Sequence, residues 1–276
     1  VDLDVELGAD RELIALPVAG GAFDRPPPHV FGDLDRAVHT TRKGTKRLRS
    51  FLRLARQSIG KDVYRMENAA LRDTARLIAP ARDALVLIET ARGLGASDPV
   101  LETLERRHLE EIARLASGVR ADATTRLESI AARWRMIEWG GPDAASIRAG
   151  LTRTYRRGLA EFAAAQAQPS AHAFHSWRRR VKYIRYQLEA IGEPRKLVKR
   201  WLELGDDLGW EHDHTVLIGV CSECSHDADF RAVVARSQVR RKALRSAALD
   251  AGDRLFMLKP GTFVESVVST ARLEAR

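Results

Sequence analysis

Two stretches of the chain place a histidine at the head of a run of cations. His39 is followed by Arg42, Lys43, Lys46 and Arg49, and His175 by Arg178, Arg179, Lys182 and Arg185. Offsets of 0, +3, +4, +7 and +10 share one side of an α-helix, so each run predicts a basic ridge about 15 Å long. Like charges at i,i+4 repel by roughly 0.2–0.5 kcal/mol per pair. No acid interrupts either face. An anion that neutralises the ridge would relieve that repulsion. Arginine suits bidentate contacts to phosphate oxygens and lysine supplies a mobile point charge. The histidine donates or accepts according to its protonation.

Further cations stand ready on other helical segments: Arg153, Arg156 and Arg157 in one, Arg236, Arg240 and Arg241 in another. These join the two ridges as candidate anion-binding residues. Asp83 and Asp213 lack an obvious partner acid, which favours orienting basic side chains over catalysis. Tyr155, Tyr183 and Tyr186 are expected to pack in the core or at its rim. Gly44-Thr45-Lys46 has neither the spacing nor the order of a phosphate-binding P-loop. No paired acids suggest a magnesium site, so an enzyme is not expected. Phosphotransfer through His39 or His175 remains the catalytic alternative. Cys221 and Cys224 form a single CxxC, with His226, His212 and His214 nearby. One such pair without a second at ligand spacing reads as packed thiols, and neither metal nor cofactor is expected.

The totals agree with anion recognition. The 276 residues carry a formal charge of +9, with 45% hydrophobic and 30% charged residues. That composition folds, and its excess charge points to nucleic acid, a membrane surface or a phosphate polymer. No apolar run approaches the ~20 residues of a membrane helix. The opening VDLDVELGAD lacks the basic and apolar regions of a secretory signal. Two cysteines in the whole chain fit a reducing cytoplasm.

The elements that must carry these residues are helical. Residues 1–30, with Gly20-Gly21 and Pro26-Pro27-Pro28, are expected to be a lead segment in which VDLDVEL could form a short strand. From Asp33 onward, Leu34, Val38, Thr41, Thr45, Leu48, Leu52 and Ala55 mark an amphipathic helix. Asp62 is expected to cap a second helix, Pro80 to open a third, and Ser97-Asp98-Pro99 to start a fourth that is followed by another to about Trp139. Gly140-Gly141-Pro142-Asp143 is the clearest break. Helices are then expected from Asp143 to about Gln166, from Ser170 to Gly192, from near Pro194, from about Trp210 to Cys224, and from Asp227 to about Leu255, with a short tail helix. The fold class is all-α.

The two ridges belong to a repeat. Arg82-Asp83 with Val86, Leu87 and Ile88 matches His212-Asp213 with Val216, Leu217 and Ile218, in the same order and at nearly the same separation from its ridge. The break divides the chain into a first helical repeat, 31–139, and a second, 143–276. On the ridge at His175, Trp177, Val181 and Ile184 point to the opposite, packing side.

These residues resemble the CHAD family, the conserved histidine α-helical domain. The second copy carries the likeness: His175, Arg178, Arg179, Lys182, Ile184 and Arg185, then Leu204, Asp206, Leu208, Gly209, His212, Asp213, Val216 and Leu217. Leu151 to Gly158 also resembles the stretch before the family's second basic helix. The first copy departs from the pattern at Lys43 and Gly44, and a glycine inside a helix weakens it by up to ~1 kcal/mol. The resemblance covers roughly residues 30–270. It implies two pseudo-symmetric four-helix-type bundles with a basic cleft or channel between them. It also implies non-catalytic binding of inorganic polyphosphate, and an association with polyphosphate granules. Aromatic residues make up 6% of the chain and do not interleave with the basic faces, which favours a bare phosphate polymer over single-stranded nucleic acid. Nonspecific nucleic-acid binding, or another polyanion, is the alternative.

Overall fold

The computed structural model describes residues 32–274 other than 138 and 225, with side chains through residue 268. The lead segment expected at 1–30 lies outside them. Among the described residues the chain is helical and no strand occurs. The helices are α1 (Asp33–Ile59), α2 (Lys61–Leu77), α3 (Ala79–Gly93), α4 (Asp98–Arg114), α5 (Arg120–Arg135), α6 (Ala144–Ala167), α7 (Ala171–Ala190), α8 (Arg195–Ser222), α9 (Ala228–Leu255) and α10 (Pro260–Glu274). No described helix is long and apolar enough to cross a membrane.

Local signals set most of the boundaries. Asp143 accepts the Ser146 amide at 2.7 Å and Ser170 accepts the Ala173 amide at 3.1 Å, so both N-terminal signals act as side-chain caps. Asp62 does not. Gly60 occupies the cap position of α2, and the Asp62 carboxylate instead pairs with Arg65 at 3.6 Å. Between α4 and α5 a π-helical turn, Leu115–Val119, kinks the chain where Gly118 adopts φ 123°, a conformation that strains any residue with a Cβ. Gly44 leaves α1 unbroken.

A break expected before Trp210 is absent, and α8 runs through as one helix. Gly205 and Gly209 lie on the side of this helix turned to α7. A Cβ on Gly205 would meet Val181 at 3.7 Å, and one on Gly209 would meet the Arg178 guanidinium at 3.9 Å. Both positions therefore face α7, at distances where a Cβ would make ordinary contact.

The largest apolar cluster belongs to α6–α10. Trp177, Val181 and Ile184 are fully buried in it with Trp201, Phe174 and Leu151. Tyr155 lies there too, stacked on Phe263 with ring centroids 4.0 Å apart, and its hydroxyl donates to the Leu258 carbonyl at 3.0 Å. A second cluster joins α3 and α4 to α8 and α9 through Ile88, Leu104, Leu217 and Phe230. Smaller clusters tie α1 to α2, α3 and α5.

Leu54 of α1 enters the large cluster, so α1 is held by both halves of the chain. The contact is close. A Cβ on Gly150 of α6 would lie 2.6 Å from the Leu54 Cα and carbonyl oxygen. Backbone cannot rotate away as a side chain can. Gly150→Ala is expected to cost about 2–3 kcal/mol, the upper end for overpacking, read as a lowered midpoint in urea unfolding. An unchanged midpoint would show that the two helices can part freely.

Candidate anion-binding site

Helices α1 and α7 cross with cations of both basic ridges turned toward each other. Three contacts fix the crossing. Ser50 Oγ donates to the Tyr183 carbonyl at 2.9 Å, Gln187 Nε2 donates to the Ser50 carbonyl at 3.2 Å, and Arg47 pairs with Glu189 at 3.4 Å. Ser50 and Gln187 are buried, so these bonds exchange few partners with water.

Lys46 and Lys182 lie close enough at this crossing for the first to bear on the charge of the second. Burial, and then Arg42 and Arg178, push Lys46 down to about 7, against the pull of Asp83 and Asp213. Lys182 is held well below the ordinary lysine value by burial first, then by Arg178 and Lys46, with Asp213 and Asp206 opposing. Each ridge thus feels the other's charge. Both walls face one site.

The carboxylates in that site are already engaged with cations. Asp83, at the start of α3, accepts Arg42 Nη2 at 3.0 Å. Asp213, on α8, draws on Arg42, Lys46 and Lys182 together. Asp83 thus holds the Arg42 side chain in place, the orienting role that its lack of a partner acid suggested. Arg82 packs alongside, 3.4 Å from the buried Glu89.

Both ridge histidines lie at the margin of this cluster. His175 Nδ1 is 3.3 Å from His212 Nδ1, with ring centroids 4.6 Å apart. Burial and then Arg178 bring His212 down to about 3, and the same causes lower His175. At neutral pH both rings are uncharged, so one nitrogen donates to the other, and the accepting ring keeps its own proton on Nε2. His39 is likewise lowered, by burial and then Arg82.

The other candidates divide into groups. Lys43 lies beside Arg47, Arg185 and Glu189, and burial with those arginines brings it down to about 8. Arg185 itself is buried and donates to Glu189 at 2.7 Å. Arg49 donates to Asn68 at 3.2 Å and lies near Arg53 and Tyr183. Arg153 lies near Arg56, Arg156 and Arg157. Arg179 is exposed and donates to Ser176 Oγ at 3.2 Å.

Arg236, Arg240 and Arg241 do not join the crossing. Arg236 donates to the Gly95 carbonyl at 3.3 Å, and Arg240 and Arg241 flank His214 on the far side of α8. Their spacing placed them on one face of α9 but could not say which way it turned. Among the described residues no three His, Cys, Asp or Glu side chains converge as a metal-donor set. Cys221 is instead buried in the core, which pushes its thiol up to about 11.

Sequence reasoning passed over His212, Arg82 and Arg53 as site residues. A signal for the first two existed, because the repeat aligns Arg82 with His212. A family model for the CHAD domain matches residues 22–221. The chain belongs to the CHAD family. No curated protein matches it. The CHAD match includes both basic ridges, both aspartates and α6. It ends within α8, so α9 and α10 lie beyond the matched residues although α9 packs along α8.

Proposed function

We propose that this CHAD domain binds inorganic polyphosphate without turning it over, in the cytoplasm and at polyphosphate granules. The convergence of Lys46 and Lys182 carries the reading. Two lysines in one half-buried site, beside Arg42 and Arg178, outnumber the carboxylates that reach them, and a polyanion laid along the crossing supplies further counter-charge. Arg42 and Arg178 add planar guanidinium donors on either side, suited to phosphate oxygens. Family membership supports the same ligand, because some CHAD domains bind polyphosphate. Engagement of Asp83 and Asp213 with cations favours holding a ligand over activating a nucleophile.

The test is a parallel titration with polyphosphate, DNA, RNA and ATP at equal phosphate concentration. Polyphosphate is expected to bind most tightly, with log affinity falling linearly with log salt as counterions are released. Displacement of polyphosphate by DNA or RNA would overturn the assignment in favour of a nucleic-acid binder. Phosphate release from polyphosphate, lost on changing His39 or His175, would overturn the non-catalytic reading.

A further inference from the structure

Polar groups are set between α8 and α9 as rungs. Glu211 and His214 stand one turn apart on α8, and Arg241 and Arg245 one turn apart on α9. One rung is neutral: Arg245 pairs with the buried Glu211 carboxylate at 2.7 Å. At the next rung α8 offers a histidine where a second carboxylate would balance the charge. His214 is 5% exposed, and among the described residues nothing hydrogen-bonds its Nδ1. Burial, and then Arg240 and Arg241, hold the ring below the ordinary histidine value, so it carries no charge at neutral pH. Ser237 precedes the two arginines by three and four residues on the same side of α9. It is wholly buried, and its Oγ is also without a partner.

Among the described residues no carboxylate forms an ion pair with Arg240 or Arg241. Arg240 does bear on Asp207, whose carboxyl is raised by burial and then by Glu203. Asp207 lies two turns before His214, with Glu211 between them. Those acids oppose an anion on that side. On the other side the rungs give way to the apolar cluster of Leu217, Phe230 and Val233. The cationic stretch is therefore short and closed at both ends, which suits one compact anion and not a track. Two guanidiniums match phosphate oxygens, and a neutral imidazole can add an N–H.

We propose that His214, Arg240 and Arg241 form a second anion site, separate from the crossing, that takes a single phosphate group as inorganic phosphate or as a phosphate monoester. The inference goes beyond the polyphosphate reading and does not rest on it. Asp213 acts on Arg42, Lys46 and Lys182, whereas the adjacent His214 feels Arg240 and Arg241. Both arginines lie past the residues that the CHAD model matches.

The experiment follows the His214 ring resonances by NMR while inorganic phosphate, or separately glycerol phosphate, is added at fixed pH and ionic strength. Saturable movement is expected in wild type. Saturation by inorganic phosphate alone assigns the site to the free ion, and saturation by both ligands extends it to monoesters. Arg240→Ala/Arg241→Ala should weaken that response by about tenfold or more, while its polyphosphate affinity stays within about twofold of wild type because the two sites share no residue. Lys46→Met/Lys182→Met should leave the His214 response within about twofold. Arg240→Gln, at an exposed residue, gives a smaller loss in the same direction and serves should the double variant unfold. Equal movement with sodium chloride, which would mean an adventitious ion only, overturns the site. So does a response that survives loss of both arginines or disappears with the two lysines. None of these outcomes bears on polyphosphate binding at the crossing.

Discussion

Replacing Lys46 and Lys182 together with methionine is expected to weaken polyphosphate binding by about a hundredfold while making the ligand-free protein more stable. Two charge-assisted contacts at roughly 1.5 kcal/mol each give that loss. The gain in stability has the opposite origin. The two ammonium groups repel each other, are partly stripped of water, and lie beside Arg42 and Arg178. Methionine keeps the volume and removes the charge, which should stabilise by about 1–2 kcal/mol and raise Tm by a few degrees.

The pH dependence gives this prediction two independent signs. In the unfolded chain a lysine keeps its proton to about pH 10.4, whereas Lys46 in the folded protein holds it only to about 7. Between those values unfolding takes up a proton, so the lysine penalty is full below pH 7 and fades as pH rises. The Tm gain of the methionine variant should therefore be largest in mild acid and shrink toward pH 10. Binding works the other way. Bound phosphate raises the Lys46 value, so above pH 7 binding takes up protons, and affinity falls as pH rises. That decline, and the matching dependence of calorimetric heat on buffer ionisation, should vanish in the variant. Unchanged affinity would remove the crossing from the site.

A second large effect lies away from the ligand. The Glu67 side chain on α2 is wholly buried, and Arg133 of α5 donates to its two oxygens at 2.7 and 3.0 Å. Arg133→Met would leave a buried carboxylate without its counter-charge. Breaking such a pair costs about 3–5 kcal/mol, which lowers Tm by roughly 10 °C in a protein of this size. Glu67→Leu combined with Arg133→Met should recover most of the stability, since a buried pair replaced by apolar residues is often neutral. A single-variant shift below about 2 °C would mean that water reaches Glu67 after all.

The all-α class, most helix starts and the two ridges were legible because each depends on local spacing. His175, Arg178 and Lys182 share a face wherever that helix packs, and Trp177, Val181 and Ile184 must then turn inward. What a helix turns toward is a tertiary matter. Arg236 and Arg240 are spaced as regularly as Arg178 and Lys182, yet one reaches the Gly95 carbonyl and the other flanks His214 rather than the crossing. A helix start was expected at about Trp210, whereas α8 runs through that point as one helix, with Gly205 and Gly209 turned to α7. The meeting of Lys46 with Lys182 was equally invisible, because it depends on how α1 and α7 cross.

The missing side chain at Gly150 has a consequence for recognition. With no methyl group between them, α6 rests directly on the α1 backbone, so the gap between the arginines of the two helices is gauged by two main chains. Main chains in contact scarcely drift, whereas long arginine side chains sweep widely. The arginines of the two helices are thus spaced by rigid parts and tipped with adaptable ones. Such a surface can follow a flexible polymer along its length while still measuring its width.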